Sequence, residues 1–65
     1  MDRVSIGKRL EQLRGEKKPE EVALAVGISV STLYRIETGR QGVPDETKVA
    51  FCRYYNKGIE ELFFA

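Results

Sequence analysis

The tripeptide Gly27-Ile28-Ser29 constrains this chain most, because it leaves only Gly27 and Ile28 between two short helical segments. On its N-terminal side Pro19 occupies a first helical position, where a missing N–H costs nothing, and Glu20 and Glu21 follow against the positive end of the helix dipole. Val22, Ala23 and Val26 form that segment's apolar stripe, and Gly27 stops it. On the other side Ser29 is a strong N-cap, and the pattern continues through Val30, Ser31, Thr32, Leu33, Tyr34, Arg35, Ile36, Glu37 and Thr38 to a stop at Gly39. In such a short connection the glycine takes a left-handed bend and Ile28 fills the angle between the helices. Ala23 is small because the following helix crosses close to it.

Those requirements are the signature of a helix-turn-helix. Helical spacing recurs along the rest of the chain, and neither sustained two-residue alternation nor an Asn-Gly or Asp-Gly hairpin turn appears. A first helix is expected from about Ser5, as N-cap, to Arg14, with Ile6, Leu10 and Leu13 on one face and Gly15 ending it. After the loop Arg40-Gln41-Gly42-Val43-Pro44, a fourth helix is expected over about Asp45 to Tyr55. There Asp45 caps, and Val49, Cys52 and Tyr55, with Phe51, face inward. Asn56-Lys57-Gly58 breaks it, and a short fifth helix over Ile59 to Phe64 packs Ile59, Leu62 and Phe63. The expected fold class is all-α, five helices in one domain over residues 1–65, with helices two and three as the helix-turn-helix.

Composition excludes most other chemistries. The 65 residues hold no histidine, which removes catalytic triads and most zinc sites. None of the six glycines falls into a GxGxxG or GxxxxGK[ST] phosphate cradle. Cys52 stands alone, cannot form an internal disulfide and reads as a small core hydrophobe. No apolar run approaches membrane length, and the polar start MDRVSIGKR lacks a secretion-signal core, so a cytoplasmic location is expected. No enzyme activity, metal, cofactor or small-molecule substrate is expected. The net charge of +1 is low for a partner of nucleic acid, although residues 1–44 carry eight Lys and Arg against six Asp and Glu.

IGKRLEQLR at the start, EEVALAVGISVSTLYRIETGR in the middle and DETKVAFCRYYNKGIEELFF at the end cover nearly the whole chain. With AxxVGIS at Ala23–Ser29 and IExGR after a serine-capped helix, the sequence resembles the lambda-repressor-like, Cro-type (XRE) helix-turn-helix family of phage and bacterial transcriptional regulators. The resemblance implies a compact five-helix domain whose third helix enters the DNA major groove. It also implies an ion pair between Arg14, late in helix one, and Glu37, at the end of the recognition helix. The family's usual glutamine at the start of helix two, which clamps a phosphate, is replaced by Pro19 in a turn about two residues shorter. Lys57 stands where an apolar residue is common.

Advancing about 100° per residue, Leu33, Ile36 and Ser29 share one side of the third helix with Glu37 beside them. Ser31, Tyr34, Arg35 and Thr38 lie opposite, with Val30 at the edge near the N-terminus. Repressor-type helices read bases with their N-terminal residues, so Val30, Ser31, Tyr34 and Arg35 are the expected base readers, with a phosphate the alternative for Arg35. Phosphate contacts are expected from Lys17, Lys18, Thr38, Arg40 and Gln41. A plainer alternative stands beside several of these: a half-covered helix-edge Val30, a last-turn Thr38, a solubilising Lys17-Lys18, and solvated Arg14 and Glu37.

One recognition helix spans few base pairs, so a double-stranded operator read by a homodimer is expected. Phe63 and Phe64 cannot both point inward on a short helix, which places the dimer surface there. A rival reading uses the same scaffold as a protein-interaction module, an anti-repressor or adaptor; it fits the near-neutral charge, the missing glutamine and an outward Tyr34.

Overall fold

The computed structural model describes residues 2–65, and these form five helices and no strand. They are α1 (Arg3–Arg14), α2 (Pro19–Val26), α3 (Val30–Glu37), α4 (Asp45–Tyr55) and α5 (Ile59–Phe63). α1 begins two residues before the expected Ser5 because Asp2, in an extended conformation, is the true N-cap: its carboxylate accepts the Ser5 N–H at 2.8 Å. That hydrogen bond holds the Asp2 pKa below its ordinary value. Ser5 is therefore a first-turn residue. Gly27 takes the left-handed conformation, φ 86°, and its N–H closes onto the Ala23 carbonyl; a side chain there would strain the turn that redirects the chain into α3.

α4 departs from the expected pattern in two places. Asp45 is its first residue rather than its cap, with Pro44 in the cap position, and Asp45 and Glu46 serve the dipole instead. The buried side chains are Thr47 and Phe51, whereas Val49 is 42% exposed. Two helical stripes compete on this segment, and burial against α2 and α5 selects the one through Phe51. Cys52 is half-buried beside the core, and burial pushes its thiol pKa up.

α5 ends one residue earlier than expected, and Ile59 is largely exposed. Leu62 and Phe63 are both buried, so Phe63, expected at a dimer surface, belongs to the core; Phe64 is 62% exposed. The helix ends find an unforeseen partner in α1. Arg9 donates from Nη1 to the carbonyls of Glu61 and Leu62 and from Nη2 to that of Ala65, placing a cation on carbonyls that α5 cannot satisfy itself.

Leu10, Val22, Ala23, Val26, Leu33, Ile36, Phe51, Leu62 and Phe63 make the core, every helix contributing. Each large one stabilises by about 1.5–3 kcal/mol on burial. The main packing contacts close a ring in which α1 touches α3 and α5, α2 touches α3 and α4, and α4 touches α5. Among the described residues no helix is long and apolar enough to cross a membrane.

Candidate nucleic-acid interface

α3 is held from both ends and from behind. Ser29 accepts the Thr32 N–H at 3.0 Å, which satisfies an N-terminal donor, and Leu33 and Ile36 fix the inner face. α1 crosses the far end of α3 so closely at Gly7 that an added methyl group would collide with the carbonyl oxygens of Ile36 and Glu37. The apolar spacing of α1 does not reveal Gly7; its signal is a glycine inside an otherwise helical pattern.

Arg14 and Glu37 come together across the same crossing. Arg14 Nε reaches Glu37 Oε2 at 2.8 Å and Nη2 reaches Oε1 at 3.0 Å, a two-point fork, with the Glu37 carboxylate almost fully buried. Hydrogen bonding to Glu37 raises the Arg14 pKa above its ordinary value despite partial burial. The third guanidinium nitrogen donates to the Lys17 carbonyl at 3.2 Å, so one side chain ties the end of α3 to the turn before α2. Tyr55 lies close by, and burial, reinforced by the Glu37 charge, pushes its pKa up to about 12.

The outward side of α3 is open. Ser31, Tyr34, Arg35, Thr38 and Arg40 line a shallow depression of about 410 Å³, and Tyr34 is 47% exposed. Val30 is only partly exposed and packs on the edge of the core. Two of these groups are already engaged within the protein. The Thr38 hydroxyl donates to the Tyr34 carbonyl at 2.7 Å, closing the last turn. Arg35 donates from Nε to Gln41 Oε1 at 2.9 Å and from Nη2 to Thr32 Oγ1 at 3.0 Å. Gln41 thus joins the site through Arg35, and Thr32, absent from the sequence-based selection, is its second support. The signal for Thr32 was its position three residues before Arg35 on the same helix face.

Lys17 and Lys18 sit in the turn before α2 and line no part of that depression. Both are exposed, and the Lys17 ammonium lies 6.0 Å from the centre of the Tyr54 ring, a distance at the limit for a cation over an aromatic face. Lys18 is the α2 N-cap residue without a side-chain cap bond; Pro19 brings no N–H, and the Glu21 and Val22 N–H groups donate to the Lys18 carbonyl at 3.0 and 3.2 Å.

No curated protein matches the chain. Among solved structures, it is similar to the restriction-modification controller protein C.AhdI from Aeromonas hydrophila at 27% identity. That match covers 92% of this chain and 94% of that one with a TM-score of 0.82. Two crystal structures of the clp gene regulator ClgR from Corynebacterium glutamicum are similar at 26% identity. They cover 92% of this chain and 80% and 66% of theirs, with TM-scores of 0.79 and 0.83. The sequence pattern of the helix-turn-helix domain family matches residues 5–62, from the first turn of α1 to the buried Leu62 of α5. With the capped α2–α3 turn, the buried Arg14–Glu37 fork and the open face of α3, that match shows that the chain belongs to the helix-turn-helix domain family.

Proposed function

We propose that this protein is a transcriptional regulator that binds a double-stranded DNA operator by laying α3 in the major groove. The observation that carries the reading is the exposed face of Ser31, Tyr34, Arg35 and Thr38 on a helix whose other side and both ends are immobilised. Ser31 and Arg35 read base edges, Arg35 favouring guanine, while Val30 and Tyr34 provide apolar contact, including to thymine methyl groups. Arg40, Thr38, Lys17 and Lys18 serve the phosphates, the lysines standing in for the glutamine that Pro19 replaces, whereas Gln41 is turned to Arg35 instead of a phosphate. The protein works without a cofactor or a catalytic step, acts as a repressor and resides in the cytoplasm.

Two copies bind two half-sites about one helical turn apart. Phe64, largely exposed at the end of α5, forms the surface between them. Phe64→Ser is the clean test of that surface, since Phe63 supports the core. Light scattering reads a monomer if the placement is right, and a persisting dimer removes it.

Selection from random duplexes at near-physiological salt tests the whole reading. An enriched sequence is expected, with Arg35→Ala costing about 1–3 kcal/mol on it and affinity falling steeply as salt rises. The net charge of +1 and the exposed Tyr34 and Phe64 favour a second reading, docking to another protein. No enrichment, together with salt-insensitive capture of a protein partner, selects it.

A further inference from the structure

We infer that Gln41 and Thr32 are specificity-determining residues that act through Arg35, and that the α3–α4 loop thereby helps choose the base that α3 reads. The inference rests on α3 being a DNA-reading helix and goes beyond it in naming what aims its cation. A free arginine side chain explores many rotamers, and holding it in one orientation costs as much as roughly 2 kcal/mol when it binds. Here that orientation exists before any partner arrives. Arg35 Nε is held by Gln41 Oε1 at 2.9 Å and Nη2 by Thr32 Oγ1 at 3.0 Å. Thr32 is itself held: its hydroxyl oxygen accepts from Ser29 Oγ at 2.9 Å, and its N–H donates to the same Ser29 Oγ.

The chain Ser29–Thr32–Arg35–Gln41 therefore runs from the cap of α3 to the loop beyond its other end. Two of the guanidinium's N–H donors are spent on it, on the side edge shared by Nε and Nη2. The end edge, Nη1 with the outer hydrogen of Nη2, stays free, and it matches the paired O6 and N7 acceptors of guanine. Gln41 can serve as a fixed post because the loop is pinned on either side of it. Gly39 packs against Val4, where an added Cβ would sit 2.8 Å from Cγ2, and Gly42 packs against the Arg3 guanidinium. A glutamine that instead bonded a phosphate would affect every duplex equally, since a phosphate carries no sequence.

The experiment measures binding of wild type, Gln41→Ala, Gln41→Glu, Arg35→Ala and the Arg35→Ala/Gln41→Ala double variant. Each is tested on the selected duplex, on the same duplex with the Arg35-dependent base pair replaced, and on a random duplex. Gln41→Ala should reduce discrimination at that base pair by roughly two- to tenfold, the net worth of one hydrogen bond, and leave the random duplex unchanged. Gln41→Glu keeps an acceptor for Nε, so its discrimination ratio should stay at the wild-type value even if its affinity drops on all three duplexes. In the Arg35→Ala background, Gln41→Ala should add nothing. Thr32→Val should act like Gln41→Ala, with Arg35 Nε–H exchange in the free protein, read by NMR, speeding up in Gln41→Ala. Equal losses on all duplexes, or additive losses in the double variant, overturn the inference while leaving the DNA reading intact. A wild type that selects no duplex overturns both.

Discussion

α3 and α5 are both short, and each buries two large apolar side chains, Leu33 and Ile36 in one and Leu62 and Phe63 in the other. Their ends are secured in opposite ways. α3 carries its own punctuation: the Ser29 cap in the same stretch of chain, and a last turn closed by the Thr38 hydroxyl. α5 has five residues, no side-chain cap, and carbonyls satisfied by Arg9 from more than fifty residues away. A five-residue helix has no independent stability in water. The contrast teaches that α3 is positioned by local and tertiary forces together, whereas α5 exists only because the rest of the fold gives it a place.

The comparison is broken most severely by removing α5 from its seat. Phe63→Ala should cost about 3–5 kcal/mol through the cavity it leaves, against a total on the order of 3–10 kcal/mol for a chain of this length. Thermal melting should show a variant largely unfolded near physiological temperature. Glu37→Ala attacks the tertiary anchor of α3 instead and leaves the Arg14 guanidinium half-buried and unpaired; about 3 kcal/mol of lost stability is expected. An unchanged denaturant midpoint would contradict the buried fork.

Smaller effects sharpen the contrast. Arg9→Ala should cost about 1–2 kcal/mol, and amide exchange should accelerate first in α5 while α3 keeps its protection. Uniform loss of protection would mean that α5 is not a separately held element. Ser29→Ala should cost about 1 kcal/mol, with exchange quickening at the first amides of α3 and α5 unaffected. The least change comes at Tyr55, between the two regions. Its pKa is raised from 10 to about 12, so the neutral phenol is favoured in the folded state and the stability this brings is whole below pH 10. That stability is lost as pH rises from 10 towards about 12. Tyr55→Phe should match wild type at pH 7 to within about 1 kcal/mol and resist that alkaline decline, which denaturant titration at pH 8 and pH 11 would resolve.

Much of the recognition unit was legible because its determinants are local. Pro19, Gly27, Ser29 and Gly39 each act within one turn of backbone, so α2 and α3 begin and end within two residues of where their signals stand. The outward set of Ser31, Tyr34, Arg35 and Thr38 follows from helical geometry, because it lies opposite Leu33 and Ile36. What Arg35 does with its donors was not legible, because its partner Gln41 lies across a loop whose path depends on Val4 and Arg3.

By itself, then, the sequence determined the number and order of helices, the tight turn between α2 and α3, and the face that α3 turns outward, because periodicity and capping depend only on neighbours in the chain. Tertiary structure alone decided which of two stripes on α4 is buried, that Ile59 stays exposed, that α1 passes α3 at Gly7, and that Arg9 holds α5. Each is a choice between locally equivalent alternatives. Only the shape of the remaining core, and the carbonyls left unsatisfied at its edge, can separate them.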